Sequence, residues 1–289
     1  QIRRVFDMAK AEVVGACLRE PAQGYLPMYE AKMFHQFDHR WATYGADGES
    51  RDVNVADKSD PSFTAAPRYY VKKTEVYQRL SDKGWMHGWV IGWRDITSAH
   101  VLRTVIATVV PQYGSDFTIR VNIGGDIDKI LYPCLLANLN SLVLDFIARQ
   151  KIGGTHLADF IMKQLPVLSP DRYSEADLAY IVPRVLELTY TAHDLKPWAE
   201  DIGYDGEPFP WNPDRRAQLR AELDAYYAKL YNLTRDELRY ILDPADVMGE
   251  YYPSETFRVL KNSEIREFGE YRTARLVLRE FDRMVLADA

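Results

Sequence analysis

The sequence has few cysteines and no long apolar run. Cys17 and Cys134 are far apart among the 289 residues, too few for a disulfide framework and outside the close spacing of a zinc site. The most apolar stretch, residues 130–147, contains two asparagines and Asp145, so it is too polar to cross a bilayer. We therefore expect reduced thiols, no membrane partner and a cytoplasmic location.

The sequence also lacks an excess of positive charge. Its 36 Lys and Arg residues against 42 Asp and Glu residues give a net charge of −6, which argues against a simple basic nucleic-acid binder. The charge is uneven, because residues 1–169 carry 20 basic and 18 acidic side chains whereas residues 170–289 carry 16 and 24. An anionic partner is therefore expected to meet the first part of the chain.

Apolar periodicity predicts an α+β fold in two domains, 1–169 and 170–289. The first is predicted to mix strands and helices, and the second to be mainly helical. In the first domain we expect an amphipathic helix at 3–19, an exposed loop at 45–66, strands at 69–71, 85–93, 101–111 and 117–121, one long helix at 128–151 and a short one at 156–162.

Helix starts in the second domain are marked by capping residues. Ser174 with Asp177, and Thr234 with Glu237, have the spacing of capping boxes, and Asn212-Pro213 combines a cap with a proline at the first helical position. The prolines in residues 194–213 predict a connecting loop there, and a last helix is expected at about 271–286.

Catalytic motifs are missing from the sequence. An adenine amino-methyltransferase needs an Asn/Asp-Pro-Pro-Tyr/Phe tetrapeptide for the flipped base and a glycine-rich loop for its methyl donor, and neither occurs here. Dinucleotide fingerprints and phosphate loops are absent as well. We therefore expect no catalytic residue and no cofactor in this chain.

Two short patterns leave a catalytic alternative open. Glu30 and Lys32 form half of the acid-x-lysine pattern of many metal-dependent nucleases, and His35 and His39 would share a face if their segment were helical. Such a nuclease needs a further Asp or Glu nearby for its divalent ion, and Glu20 is the only close upstream candidate. No metal site is therefore expected. A nuclease using Glu30, Lys32, His35 and His39 remains the alternative, with a structural docking module as a third hypothesis.

Nine segments carry a resemblance to a known family. They are residues 26–40 (LPMYEAKMFHQFDHR), 92–97, 103–107, 138–141, 149–157, 164–168, 215–225, 230–238 and 269–273. Together they resemble the C-terminal target-recognition region of large bacterial DNA adenine-specific methyltransferases. That family includes type IIG restriction–modification enzymes and phage-defence methyltransferases.

The resemblance implies that the chain recognises double-stranded DNA in the bacterial cytoplasm. It would position this DNA for an upstream methyltransferase domain of the parent protein, which would bind S-adenosylmethionine. Within the matching segments, basic side chains occur among aromatic and amide residues, a mixture that can bind base edges and phosphates. The expected DNA contacts are Lys32, His35, Gln36, His39, Arg40, Arg94, Thr97, Arg103, Lys151 and Thr155.

Overall fold

A computed structural model of the protein describes residues 24–124, 127–253 and 256–288. The chain divides into two compact units whose segments alternate along the sequence. Among the described residues, the first unit contains 24–96, 106–136 and 173–211, and the second contains 97–105, 137–172 and 212–288. Each predicted domain therefore contributes segments to both units. The helix predicted at 3–19 lies outside the described residues, as does Cys17.

The strands of the described residues all belong to the first unit and form small sheets. In chain order they are β1 (Tyr25–Tyr29), β2 (Ala42–Tyr44), β3 (Ser50–Asp52), β4 (Tyr69–Lys72), β5 (Trp89–Arg94), β6 (Ala107–Pro111), β7 (Gly114–Ser115) and β8 (Ile119–Asn122). One sheet has the order β4-β1-β7, with Met28 of β1 opposite Tyr69 of antiparallel β4 and opposite Gly114 of parallel β7. A second sheet pairs β2 with β3.

The third sheet, with the order β6-β5-β8, provides much of the first unit's core. All five residues of β6 are buried, as expected for its nearly continuous apolar sequence. The strand predicted at 101–111 begins only at Ala107, because the amides of Thr104 and Val105 donate to the carboxylate of Asp145 instead of to a neighbouring strand. The strands predicted at 69–71 and 117–121 correspond to β4 and β8.

Helices occur in both units. In chain order they are α1 (Val55–Ser59), α2 (Lys73–Ser81), α3 (Tyr132–Asn140), α4 (Leu142–Lys151), α5 (Asp159–Met162), α6 (Glu175–Thr189), α7 (Lys196–Asp201), α8 (Pro213–Leu230), α9 (Arg235–Leu242), α10 (Pro244–Met248), α11 (Arg258–Phe268) and α12 (Arg272–Asp288). Both predicted capping boxes are present, at the starts of α6 and α9, and the side chain of Asn212 caps α8. The α+β fold with a helical C-terminal region is confirmed.

The single helix predicted at 128–151 is wrong, because the chain breaks at Ser141. Its hydroxyl donates to the Asn138 carbonyl (2.9 Å) and accepts from the Leu144 amide (3.3 Å), while the Leu142 amide donates to Asp224 (2.7 Å). These bonds satisfy backbone amide and carbonyl groups that would pair with each other in a continuous helix. The helical segments on the two sides of this break, residues 129–140 and 142–151, are bent by 57° and together have the length and composition of a broken membrane span. No single helix among the described residues is long and apolar enough to cross a membrane.

Two predicted loops contain regular structure. Residues 194–213 include α7, whose second residue, Pro197, fits the first turn of a helix because its missing amide proton is not needed there. The predicted loop 45–66 includes β3 and α1, and Asn54 caps α1 by accepting from the Asp57 amide at 2.8 Å. Both predictions were therefore too simple, because proline and polar residues also start short helices.

Buried charge organises the core of the second unit. Asp145 is fully buried and accepts hydrogen bonds from the amides of Thr104 (2.8 Å) and Val105 (2.6 Å). Its carboxylate also lies 3.2 Å from Nε of Arg149 and 3.7 Å from Nε of Arg103. Arg149 then donates to four backbone carbonyls, those of residues 99, 101, 102 and 256. The Asp145 carboxylate thereby serves as the hydrogen-bond acceptor that a neighbouring strand would have supplied to residues 104 and 105. The two guanidinium groups beside it oppose its negative charge.

Asp224 of α8 supplies a pH-dependent contribution to stability. Burial raises its pKa from 3.8 to about 6, although Arg103, the Leu142 amide and Arg220 act in the opposite direction. The folded protein therefore binds this proton more tightly than the unfolded chain does. The contribution is complete below about pH 4 and is lost as pH rises through 6.

We expect Asp224→Asn to flatten this pH dependence. Between pH 4 and 7 the free energy of unfolding of the parent chain should fall by about 2 kcal/mol relative to that of the variant, since one pKa unit corresponds to about 1.4 kcal/mol. Urea denaturation at a series of pH values measures the difference. Asp205→Asn, at an exposed aspartate, is the matched control and should leave the profile unchanged. Parallel profiles for the parent and Asp224→Asn would contradict this account.

Candidate nucleic-acid interface

The predicted site residues at 32–40 lie in an irregular loop rather than a helix. After β1 the chain forms a 3-10 turn at Ala31–Met33, and a backbone bridge then pairs His35 with Asp38. The ring of His35 packs on that of Trp41, with centroids 4.5 Å apart. The helical spacing required to place His35 and His39 on one face is therefore not present in this segment.

Arg40 is fully buried and binds backbone carbonyls of distant segments. Its Nη1 donates to the carbonyls of Asp60 (2.8 Å) and Phe63 (3.0 Å), and its Nη2 to those of Lys58 (2.8 Å) and Thr191 (2.9 Å). Burial lowers the pKa of Arg40, while neighbouring carboxylates oppose that effect. The guanidinium therefore fixes the loop before β4 to the chain after α6, and it is not available to DNA in this structure.

Charged neighbours of Arg40 are buried with it. Nε2 of His39 lies 2.9 Å from the carboxylate of Asp194, and Nζ of Lys58 donates to Asp38 at 2.6 Å. The side chain of Gln36 is also buried. Burial excludes Gln36 and His39 from direct base or phosphate contact in this conformation, so their predicted role needs correction.

Arg94, at the end of β5, is partly buried against Phe34. Its guanidinium donates to the Phe34 carbonyl from Nε (3.0 Å) and from Nη2, and it lies 5.7 Å from the centre of the Phe34 ring. Burial lowers the pKa of Arg94 to about 10, with Asp52 acting in the opposite direction. Arg94 keeps a partial exposure that Arg40 does not have.

The second unit contains the remaining predicted contacts. Thr97 and Arg103 are buried, and Arg103 donates to the Asn140 carbonyl. Lys151 and Thr155 are exposed, and the Thr155 carbonyl accepts from the amide of Thr97 at 3.0 Å. In this unit only the last two predicted residues can therefore touch a ligand.

The ten predicted DNA contacts thus separate by exposure. Five are buried and serve as structural residues: Gln36, His39, Arg40, Thr97 and Arg103. Three are exposed and two are partly exposed: Lys32, Lys151 and Thr155, then His35 and Arg94. These residues were expected to contact DNA. In the folded chain, backbone carbonyls accept hydrogen bonds from the buried guanidinium groups of Arg40 and Arg103.

Lys32 is an exposed residue of the loop after β1. Its Nζ lies 4.8 Å from the ring centre of Tyr44, whose hydroxyl donates to the Glu30 carboxylate. Burial and Asp116 raise the pKa of Glu30, whereas Lys32 and Arg68 act to lower it. Lys32 and Arg68 are therefore close enough to act on the same carboxyl group.

A second basic region begins at Arg68 and continues through α2. We call residues 68–83 the basic segment, because they contain five basic and only two acidic side chains. Arg68, Lys72, Lys73 and Lys83 are exposed and Arg79 is partly exposed, while Val76 and Leu80 anchor the other face of α2 in the core. Aromatic rings support two of the cations: Arg68 lies 5.3 Å from the Tyr69 ring centre and Lys73 lies 5.0 Å from that of Tyr77.

Comparison with protein-family models, curated proteins and solved structures finds no match. The site must therefore be judged on its own residues. Within the part of the chain that the structure describes, no group of three or more His, Cys, Asp or Glu side chains is arranged to hold a metal ion. Glu30, one of the residues of the nuclease alternative, instead accepts a hydrogen bond from Tyr44.

Sequence reasoning identified only part of the basic segment. The strand at 69–71 was predicted, but α2 was not, and the basic residues of this segment were not among the expected DNA contacts. The available signal was the net positive charge of residues 68–83 in a chain that is acidic as a whole.

Proposed function

We propose that the chain binds double-stranded DNA as the target-recognition region of a bacterial restriction–modification or phage-defence DNA adenine methyltransferase. The DNA would be presented to the methyltransferase domain of the parent protein, where S-adenosylmethionine would bind. The observation that carries the DNA-binding part is the exposed basic segment, residues 68–83, together with exposed Lys32, whose charge acts on Glu30 as that of Arg68 does. The methyltransferase part rests on the resemblance of the nine sequence segments.

The pairing of β1 with β4 relates Lys32 to the basic segment. The two strands are antiparallel, with Met28 opposite Tyr69 and Tyr25 opposite Lys72, so Lys32 and Arg68 lie near one end of the pair. From Arg68 to Lys72 the chain follows β4 and advances by four steps, roughly 13 Å at the usual strand rise. Cations spaced over this length can contact several phosphates of one DNA backbone, which supplies most of the affinity of non-specific binding.

The side chains of the surface suit phosphate contact more than base recognition. Lys73 and Lys83 present ammonium groups on flexible stems, and Arg68 presents a planar guanidinium group that can bind a phosphate with two hydrogen bonds. Exposed Tyr77 and the amide of Gln78 lie on α2 between them. The segment therefore supports attachment to the DNA backbone, with sequence readout left to fewer side chains.

We expect substitution of the basic segment to weaken DNA binding. In the full chain, the triple variant Arg68→Gln, Lys73→Gln and Lys83→Gln should reduce the slope of log Kobs against log salt by about 2.7, since each lost phosphate contact contributes about 0.9. Fluorescence anisotropy with a labelled duplex measures both affinity and slope. The three side chains are exposed, so folding should be retained and circular dichroism checks this.

The matched control removes three exposed positive charges elsewhere. Lys196→Gln, Lys229→Gln and Arg266→Gln change the net charge by the same amount but lie outside the basic segment. Equal weakening by the two triple variants would show that total charge, and not this surface, governs binding. Incubation with plasmid and Mg²⁺ or Mn²⁺ tests the nuclease alternative, which requires cleavage that is lost on Glu30→Ala.

A further inference from the structure

The helical C-terminal part of the second unit contains a cleft that DNA binding by the basic segment does not use. We call it the α9–α12 cleft, because its lining comes from these four helices and from the turn after α10. Its volume is about 550 Å³, within the range of ligand-binding clefts. Leu242, Ala245, Ala274 and Leu278 supply apolar surface, and the charged side chains of the lining belong to three acidic and two basic residues.

Two ion pairs involve four of these five charged side chains. Nζ of Lys261 donates to the carboxylate of Asp243, and Nε of Arg239 lies 2.8 Å from Oδ2 of Asp246. Glu250 is the fifth, and its exposed side chain makes no hydrogen bond or ion pair among residues 24–124, 127–253 and 256–288. The lining therefore carries a net charge of −1, and the carboxylate of Glu250 is the one that remains for a ligand.

The turn after α10 places apolar side chains next to this carboxylate. Gly249 has a φ of 105°, a conformation that residues with a Cβ atom rarely adopt, and its carbonyl accepts from the amide of Tyr252 at 2.9 Å. Tyr251 is 94% exposed and Met248 is 57% exposed. Residues 243–253 contain three acidic side chains and no basic one. The chain beside the cleft is therefore both apolar and acidic.

A basic and apolar protein segment matches this surface. Tyrosine, methionine and arginine are enriched at protein interfaces, and complementary charge selects the partner. We infer that the α9–α12 cleft binds a partner protein through a segment that combines arginine or lysine with apolar residues. The apolar stem of one basic side chain would lie against Ala274 and Leu278, and its charged head would pair with Glu250. Apolar neighbours of that residue would cover Tyr251 and Met248.

Charge separates this partner from DNA. Residues 243–253 would repel phosphate, whereas the basic segment of the first unit attracts it. Peptide binding at the cleft is therefore independent of DNA binding, and the triple variant Arg68→Gln, Lys73→Gln and Lys83→Gln should not weaken it. Loss of either activity alone would leave the other standing.

Nuclear magnetic resonance of methyl-labelled methionine tests the cleft in the full chain. The probe is a synthetic amphipathic peptide of arginine and leucine, and a glutamate–leucine peptide of the same pattern is its control. The Met248 signal, identified by its loss in Met248→Leu, should shift in a saturable way with the arginine peptide only. The signal of Met86, which is 78% exposed in the first unit, should not move. A Met248 shift that follows protein concentration without peptide would assign the cleft to a second copy of the chain and overturn the proposed partner.

Two double variants separate the cleft from the overall negative charge of the chain. Glu250→Gln with Tyr251→Ala should weaken binding of the arginine peptide about tenfold, and both side chains are exposed, so folding should be retained. Glu267→Gln with Phe160→Ala removes one exposed carboxylate and one exposed ring elsewhere in the second unit, and it should change affinity by less than about twofold. Equal weakening by the two variants, equal binding of the two peptides, or no binding of the arginine peptide would overturn the site.

Discussion

Replacing Arg40 by alanine is expected to lower the free energy of unfolding by about 4 kcal/mol, the cost typical of removing one partner from a buried charged network. Four backbone carbonyls, from residues 58, 60, 63 and 191, would lose their donor, and those of Lys58 and Thr191 belong to buried hydrogen bonds. The carboxylates of Asp38 and Asp194 would also lose a nearby positive charge. Urea denaturation followed by circular dichroism measures the effect.

Two further variants make the result specific. Arg40→Lys keeps the charge but loses the planar fork, so we expect it to recover only part of the loss, about 2 kcal/mol. Arg51→Ala removes a 55% exposed arginine that pairs with Asp57, and it should change stability by less than about 0.5 kcal/mol. If Arg40→Ala were no more destabilising than Arg51→Ala, Arg40 would not hold the two segments together.

Replacing Asp145 by alanine is expected to cost the second unit about 3 to 5 kcal/mol, because it leaves buried guanidinium groups without their carboxylate. The amides of Thr104 and Val105 would lose their acceptor at the same time. Hydrogen exchange provides a local measurement, since these two amides should exchange much faster in the variant. Thermal unfolding reports the global loss.

Asp236→Ala is the matched control for Asp145. Asp236 is 74% exposed and pairs with Arg239 at 2.9 Å, so its removal should have little effect on stability. Should Asp145→Ala prove too unstable to purify, Asp145→Asn keeps the shape and one acceptor oxygen while removing the charge. Unchanged exchange of Thr104 and Val105 in Asp145→Asn, with unchanged thermal stability, would refute the proposed role of the carboxylate.

Local features of the fold were the most predictable from sequence. The capping boxes at Ser174 and Thr234 and the cap at Asn212 were confirmed, because each depends on residues within one helical turn. The cap that Ser141 provides for α4 was also a local signal. Asp224, which accepts from the Leu142 amide at the same break, is distant in sequence. Apolar periodicity across residues 128–151 was therefore interpreted as one helix.

Burial of charged residues was the least predictable feature. Nothing near Arg40 in the sequence indicates that the carbonyls of Asp60, Phe63 and Thr191 will converge on its guanidinium group. The same applies to Arg103, whose acceptor belongs to Asn140. A motif rich in charge predicted a binding surface, whereas the folded chain uses half of those side chains in its interior and presents the basic segment on its surface.

The salt dependence of DNA binding by the full chain tests the central claim most directly. Anisotropy of a labelled duplex, measured from about 20 to 200 mM salt, gives the slope of log Kobs against log salt. With three to five cations of the basic segment on phosphates, the account predicts saturable binding and a slope of about −2.7 to −4.5. Absence of binding at the lowest salt, or binding with a slope near zero, would contradict it.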